Sequence, residues 1–391
     1  MLRRFRSKKM RGVSFVISLR NEFPNICHTV NSLMIDCEQS GIPCEFILVD
    51  QASTDNSTRF WKYAWKNAYA KESPVQLRNE YQYSPRGMVN EGLIRFVYDP
   101  VYSNVGARHK AVEYARYPNI IFADAHIAVK LNTIKNVLET LDTYGGIVHA
   151  PVAWMGASLK HPHPGVQYSF KVGEKIFSTW NFAVVEQDKP FYIPGSGHCF
   201  LAVKKKQYLD FGGYDTNQRV YGGGEPYLDT LWWLLGSTVM VDPRALVFHL
   251  SAGRGYSYDQ RSLIHNMVLT AYALGGHKWS ERVLLTYLNK DGGSEWLFRM
   301  YSQTIKEAQP KRDFIKSRQV MTFEDFIAID KPHDCDGKEY KMQSHARRKW
   351  DVLNDELYGH HISFVAIFED WLDRLENPEA IEFYRDSPYQ H

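Results

Sequence analysis

Nowhere does the 391-residue chain run through the roughly 18 consecutive apolar residues that a membrane-crossing helix needs, so no membrane anchor is expected. Cysteine is scarce. The five present, Cys27, Cys37, Cys44, Cys199 and Cys335, are odd in number and never spaced Cys-x-x-Cys. That argues against a disulfide framework or a structural zinc site and for reduced thiols in a cytoplasm, the host's if the protein is virus-encoded. Charge of one sign is also missing: 47 Lys and Arg against 44 Asp and Glu leave a net of only +3. Internal repeats and low-complexity tracts are absent. What the chain has instead is 44% hydrophobic and 14% aromatic content, enough to bury one large domain with an accessory region. Six basic residues, Arg3, Arg4, Arg6, Lys8, Lys9 and Arg11, make residues 1–12 a basic arm. With no apolar stretch behind it, the arm reads as neither signal peptide nor anchor.

From Val13 the pattern alternates strand with helix. The β-branched and aromatic run from Val13 to Leu19 predicts a strand, and the turn Asn21-Glu22-Phe23-Pro24 opens a helix with Val30, Leu33, Met34 and Cys37 on one face. Glu45 to Asp50 predicts the next strand, followed by a helix capped by Ser53-Thr54-Asp55 and carrying Phe60, Trp61, Ala64 and Trp65. Leu93 to Tyr98 and Ile120 to Ala123 predict two further strands, with a helix from Asn104 between them. This is an α/β, Rossmann-like order, in which ligands bind beyond the carboxyl ends of the strands. After Gly145 the strands shorten and a helix from Pro226 to Leu235 interrupts them; from about Leu288 the pattern is helical, with Phe323, Phe326 and Ile327, then Phe364, Ile367, Phe368, Trp371 and Leu372 as its apolar positions. The expected division is 13–287 for the main domain, in halves 13–130 and 131–287, and 288–391 for a helical accessory region.

Asp124-Ala125-His126 stands just beyond the predicted strand end at Ala123. Side chains two apart on a strand face the same way, so Asp124 and His126 offer one oxygen and one nitrogen to a common divalent cation. His249, which ends the β-rich run Ala245 to Phe248, is the candidate third ligand. A mixed oxygen and nitrogen set suits manganese better than magnesium or calcium, although magnesium stays possible. The bland alternative is a polar strand end with Asp124 capping a helix.

Several segments, taken in order, resemble family-2-like glycosyltransferases of the GT-A type, and most closely the polypeptide N-acetylgalactosaminyltransferases. They are Asn21-Glu22, Val49-Asp50, Asp124-Ala125-His126, Phe200-Leu201-Ala202-Val203 after Gly195-Ser196-Gly197, Gly212-Gly213-Tyr214-Asp215 with Tyr221-Gly222-Gly223-Gly224-Glu225, and Val247-Phe248-His249. The resemblance covers about the first two-thirds of the chain and implies a GT-A mixed sheet, a UDP-sugar donor, a hydroxyl acceptor, retention of configuration and the metal set Asp124, His126 and His249. It implies that Asn21 and Asp50 serve the nucleotide, Asp50 by accepting from the uracil imide, unless Asp50 merely caps a turn. Tyr221 and Pro226 depart from the family's Trp and Asn.

Asn104 and Arg108, at the start of a helix, suit a phosphate or the donor sugar, or else are an ordinary cap and a surface arginine. Glu225, after three glycines and before Pro226, suits an exposed carboxylate for sugar hydroxyls or acceptor, with Asp229 one turn on as a second. The glycine-flanked segment Ser251 to Tyr258 reads as a lid, Arg254 stabilising leaving-group charge and Tyr256 or Tyr258 stacking on the donor. The family's amino-terminal anchor and carboxy-terminal lectin domain are not expected in this chain. The basic arm, Lys311, Arg312, Lys316 and Arg318, and Arg347-Arg348-Lys349 raise hydroxymethylated pyrimidine in DNA, as in phage enzymes, as one acceptor beside protein and polysaccharide. Two rival readings are a non-catalytic nucleotide-sugar or glycan binder and a non-haem iron oxygenase, whose facial triad also holds one carboxylate and two histidines.

Overall fold

The computed structural model describes residues 12–55, 57, 76–77, 80–83, 93–101, 103–155, 166–169, 180–183, 189–250, 259–291 and 295–328. The expected helix through Phe60 and Trp65, the lid residues Arg254 and Tyr256, the basic arm up to Arg11, and the segments carrying Arg347 and Phe364 lie outside them.

In chain order the strands are β1 (Val13–Leu19), β2 (Cys44–Asp50), β3 (Gln76–Leu77), β4 (Glu80–Tyr83), β5 (Leu93–Tyr98), β6 (Asn119–Ala123), β7 (Ile127–Val129), β8 (Ile147–His149), β9 (Val152–Met155), β10 (Val166–Ser169), β11 (Trp180–Ala183), β12 (Phe191–Tyr192), β13 (Phe200–Lys204), β14 (Val239–Val241) and β15 (Val247–Leu250). The helices are α1 (Asn25–Gln39), α2 (Asn104–Ala111), α3 (Thr133–Tyr144), α4 (Lys205–Asp210), α5 (Gly224–Leu234), α6 (Gln260–Gly275), α7 (His277–Asp291), α8 (Glu295–Lys316) and α9 (Phe323–Ala328).

Among the described residues the main sheet runs β12-β14-β8-β13-β6-β1-β2-β5-β4-β3. Its centre, β6-β1-β2-β5, is parallel, and β13 enters antiparallel between β6 and β8. The centre is buried on both faces, which explains why its strands read as almost continuous apolar runs. Alternate residues feed separate cores. Phe15, Ile17, Phe46, Leu48 and Ile121 face the core covered by α1, whereas Val16, Ile47, Val49, Ile120 and Phe122 face the core built with α2, α5 and α6. Leu297, Ile315, Phe323 and Phe326 from the carboxy-terminal helices join the second core. Trp232, fully buried, belongs to it as well.

A second, three-stranded sheet, β7-β15-β9, positions the site. β15 runs antiparallel to β7 with His249 opposite Ile127, and Leu250 N–H donates to the His126 carbonyl at 3.0 Å. That register brings His249 beside the turn that follows β6.

Candidate active site

The β6 strand ends at Ala123, so Asp124 and His126 lie in a tight turn into β7 and not on a strand face as their spacing predicts. They converge all the same. Ligating atoms of Asp124, His126 and His249 all lie within 4.8 Å of one another. His249 Nε2 is 3.2 Å from Asp124 Oδ2, and the two imidazole rings meet edge to face at 4.8 Å. Two adjacent ligands of an ion with bonds of about 2.1 Å sit about 3 Å apart, and the 3.2 Å between Asp124 Oδ2 and His249 Nε2 matches that spacing. The turn is held by Asp124 N–H donating to the Cys199 carbonyl at 2.9 Å.

The three candidate ligands are supported from behind. Glu22, just past β1, meets His126 Nδ1 at 3.0 Å, leaving Nε2 of that ring for a cation. Burial alone would lower the His126 pKa, but the bond to Glu22 and the Glu22 and Asp124 charges outweigh it and raise it. Burial likewise pushes the Asp124 carboxyl up, yet the bond from His249 and the charges of Arg108 and His126 hold it well below the usual carboxylate range.

Arg108 is only 2% exposed and is no surface arginine. Its guanidinium donates to Asp124 Oδ1 at 2.5 Å, the His198 carbonyl at 2.9 Å and the Ala123 carbonyl at 3.3 Å. It therefore braces the Asp124 carboxylate instead of standing at the helix N-terminus for a phosphate. The cap of α2 is Ser103, whose Oγ accepts from Gly106 N at 3.1 Å; Asn104 follows it and accepts from the Ser18 hydroxyl.

Asn21 adopts a left-handed conformation (φ 55°), and its Oδ1 accepts from Thr54 N at 2.8 Å and Asp55 N at 3.3 Å. It clips the loop after β1 to the loop after β2. Asp50, 7% exposed, accepts from Ser53 N at 2.9 Å through Oδ1, which is the turn-capping geometry. Tyr221 is half-buried, and its carbonyl accepts from Asn266 Nδ2 at 3.0 Å.

Glu225 lies in the first turn of α5, after Gly222 and Gly223, whose φ of 93° and 78° L side chains rarely adopt. Its Oε1 accepts from His198 N at 3.2 Å. Burial first, then the Asp124 and Asp229 charges, push its carboxyl up to about 7 against the opposing bond from His198. Asp229 does not share an exposed face with it. Fully buried, Asp229 accepts from Ser196 N at 2.7 Å and meets His198 Nε2 at 3.1 Å and His149 Nε2 at 3.3 Å. Its carboxyl stays below the ordinary range because the two histidines outweigh burial. One turn further along α5 it meets the same residue, His198, from the buried side, at the ring instead of the main chain.

Glu22 and the histidine pair are what sequence reasoning passed over as site residues. A carboxylate at a strand's carboxyl end was a usable sign for Glu22. Nothing local in the sequence couples His149, His198 and Asp229, which three separate elements deliver.

No protein-family profile matches the chain. It is 23% identical over 252 residues to a probable N-acetylgalactosaminyltransferase 8 of Caenorhabditis elegans, covering 61% of this chain and 55% of that protein. It is 25% identical over 158 residues to polypeptide N-acetylgalactosaminyltransferase 3 of Drosophila melanogaster, covering 37% of this chain and 24% of that one. The matches thus span about a quarter to just over half the length of these relatives. A crystal structure of GalNAc-T7 with UDP, GalNAc and Mn2+ superposes with a TM-score of 0.55 at 13% identity, over 80% of this chain and 58% of the other, a likeness of fold. The chain therefore has the GT-A glycosyltransferase fold, with helices following the mixed α/β sheet, and is distantly similar to the polypeptide N-acetylgalactosaminyltransferases.

Proposed function

We propose that this chain is a metal-dependent glycosyltransferase that moves a sugar from a UDP-sugar to a hydroxyl, with Asp124, His126 and His249 holding manganese. The convergence of those three residues at the carboxyl end of β6, with ligating atoms within 4.8 Å, carries the reading. When bound, the ion would neutralise charge building on the nucleoside diphosphate as the glycosidic bond breaks. Arg108 keeps the Asp124 carboxylate ionised and oriented. Glu22 orients the His126 ring through Nδ1, which leaves Nε2 for the ion. Asp50 retains a second carboxylate oxygen for a uracil imide while its first caps the turn. Glu225, with a carboxyl that titrates near neutrality, is placed to accept from a donor or acceptor hydroxyl and to exchange a proton with it.

A mixed α/β sheet of this type speaks against the iron oxygenase reading, which expects a double-stranded β-helix. The basic stretch that closes α8 and runs past it leaves Lys316 and Arg318 exposed to a polyanion, so DNA stands beside protein and polysaccharide as acceptor, although three of its cations also bond to main-chain carbonyls. Lys311 donates to the Gly212 carbonyl at 2.8 Å, Arg312 to that of Leu274 at 2.6 Å and Arg318 to that of Asp210 at 3.1 Å. Retention follows the family resemblance and is read from the anomer of the product. Titration of the protein with Mn2+, followed by electron paramagnetic resonance, tests the site: one ion per chain is expected, lost in Asp124→Ala. Equal binding by that variant would refute the assignment.

A further inference from the structure

The turn Ser196-Gly197-His198-Cys199, which enters β13, touches Arg108, Asp124, Glu225 and Asp229. Its main chain faces the crevice. His198 N–H donates to Glu225 Oε1 at 3.2 Å, the His198 carbonyl accepts from Arg108 Nη1 at 2.9 Å, and the Cys199 carbonyl accepts from Asp124 N at 2.9 Å. Its side chain faces the core. The buried imidazole meets Tyr214 Oη at 2.7 Å through Nδ1 and Asp229 Oδ1 at 3.1 Å through Nε2. Asp229 is fixed in turn by Ser196 N and by His149, whose ring lies 5.5 Å from that of His198, nearly parallel to it.

Charge balance sets the protons. An ionised Asp229 oxygen that accepts from both rings requires hydrogen on both Nε2 atoms, and burial, which lowers the His198 pKa, keeps that ring neutral, so its Nδ1 accepts from the Tyr214 hydroxyl. The ring is thereby held at two points, at its two opposite nitrogens. A peptide on a glycine-containing turn would otherwise be free to shift, and His198 is the residue whose side chain removes that freedom.

We propose that His198, clamped between Asp229 and Tyr214, is a positioning residue that fixes the Glu225 carboxylate relative to the Arg108–Asp124 pair. The inference rests on Asp124 as a metal ligand and Glu225 as a site carboxylate, and it turns Asp229 from a substrate group into the anchor beneath them. A displacement of about 1 Å in such a constellation costs about 100-fold in rate, and loss of an outer-shell partner costs about 10–100-fold in metal affinity.

The test compares wild type with His198→Ala and His198→Gln, the latter keeping a side-chain amide that can donate to Asp229. Amide hydrogen exchange, Mn2+ affinity and metal-dependent UDP release from a UDP-sugar are measured on each after a denaturation curve confirms the fold. His198→Ala is expected to speed exchange at the amides of Asp124 and of position 198, with β1 and β2 unchanged. It should weaken Mn2+ about tenfold and lower kcat about 100-fold with KM within about threefold. His198→Gln should recover most of each. Unchanged exchange at those two amides in a folded His198→Ala would overturn the proposal even if no donor is turned over and no Mn2+ binds, so failure of the transferase reading is read separately. A second metal equivalent in the wild type, lost in His198→Ala with Asp124 intact, would also overturn it, since the cluster would then be a metal site.

Discussion

Replacing Arg108 with methionine keeps the length of the side chain and removes the cation that Asp124 leans on. The pair is well shielded, with side-chain exposures of 2% for Arg108 and 25% for Asp124. Breaking a buried pair from one side typically costs 3–5 kcal/mol, because the remaining charge is left uncompensated. Here His249 still reaches the other carboxylate oxygen at 3.2 Å and offsets part of the loss, which argues for the lower end, about 3 kcal/mol. The carbonyls of Ala123 and His198 lose their donor as well. In a thermal melt with chelator this corresponds to a fall in Tm of roughly 4 °C for a chain of this size. Manganese replaces the missing positive charge, so a saturating concentration should narrow the gap between Arg108→Met and wild type. The assay is urea unfolding of both proteins with chelator and with Mn2+. A loss below about 1 kcal/mol in chelator, or a gap that Mn2+ leaves unchanged, would refute the coupling of Arg108 to the metal carboxylate.

Glu22→Gln should weaken Mn2+ binding about 10–100-fold with little change in fold, measured by calorimetric titration, because the His126 ring loses an anionic partner. The Glu225 carboxyl, raised from 4.5 to about 7, binds its proton more tightly folded than unfolded. The protein therefore loses stability as pH climbs through that window, by about 2–3 kcal/mol from this group, and Glu225→Gln, compared in unfolding at pH 5 and pH 8, should remove that part of the slope. Asn266, buried in α6, accepts from Arg219 N at 2.7 Å and donates to the carbonyls of Arg219, Tyr221 and Gly222 at 3.0–3.1 Å. Asn266→Ala should cost about 2–3 kcal/mol in urea unfolding by leaving these groups unpaired, and should raise KM by loosening the loop that leads into the helix bearing Glu225.

The central sheet was legible because burial on both faces writes a strand as an apolar run. Val13 to Leu19 and Leu93 to Tyr98 end where the runs end, and β2 and β6 each extend one residue earlier than expected. The start of α5 at Gly224, ahead of Pro226, was missed because glycine carries no helical signal although the chain geometry there needs it. The run Ala245 to Phe248 marked a strand, but β15 starts at Val247 and holds His249 within it. For the site, Asp124, His126 and His249 could be grouped from their positions at strand ends, whereas the inward turns of Arg108 and Asp229 depend on packing between distant segments. Asn21 and Asp50 showed the same limit: a polar side chain beside a tight turn satisfies backbone N–H groups first, and that demand is visible only in three dimensions.

The most direct test of the account is release of UDP from a panel of UDP-sugars, without acceptor, in the presence of Mn2+ or of excess chelator, for the wild type and for Asp124→Ala and His249→Ala. The account predicts slow hydrolysis of one donor that needs the metal and disappears in both variants while their folded state persists. Hydrolysis that survives chelation, or folded variants that retain full turnover, would contradict it.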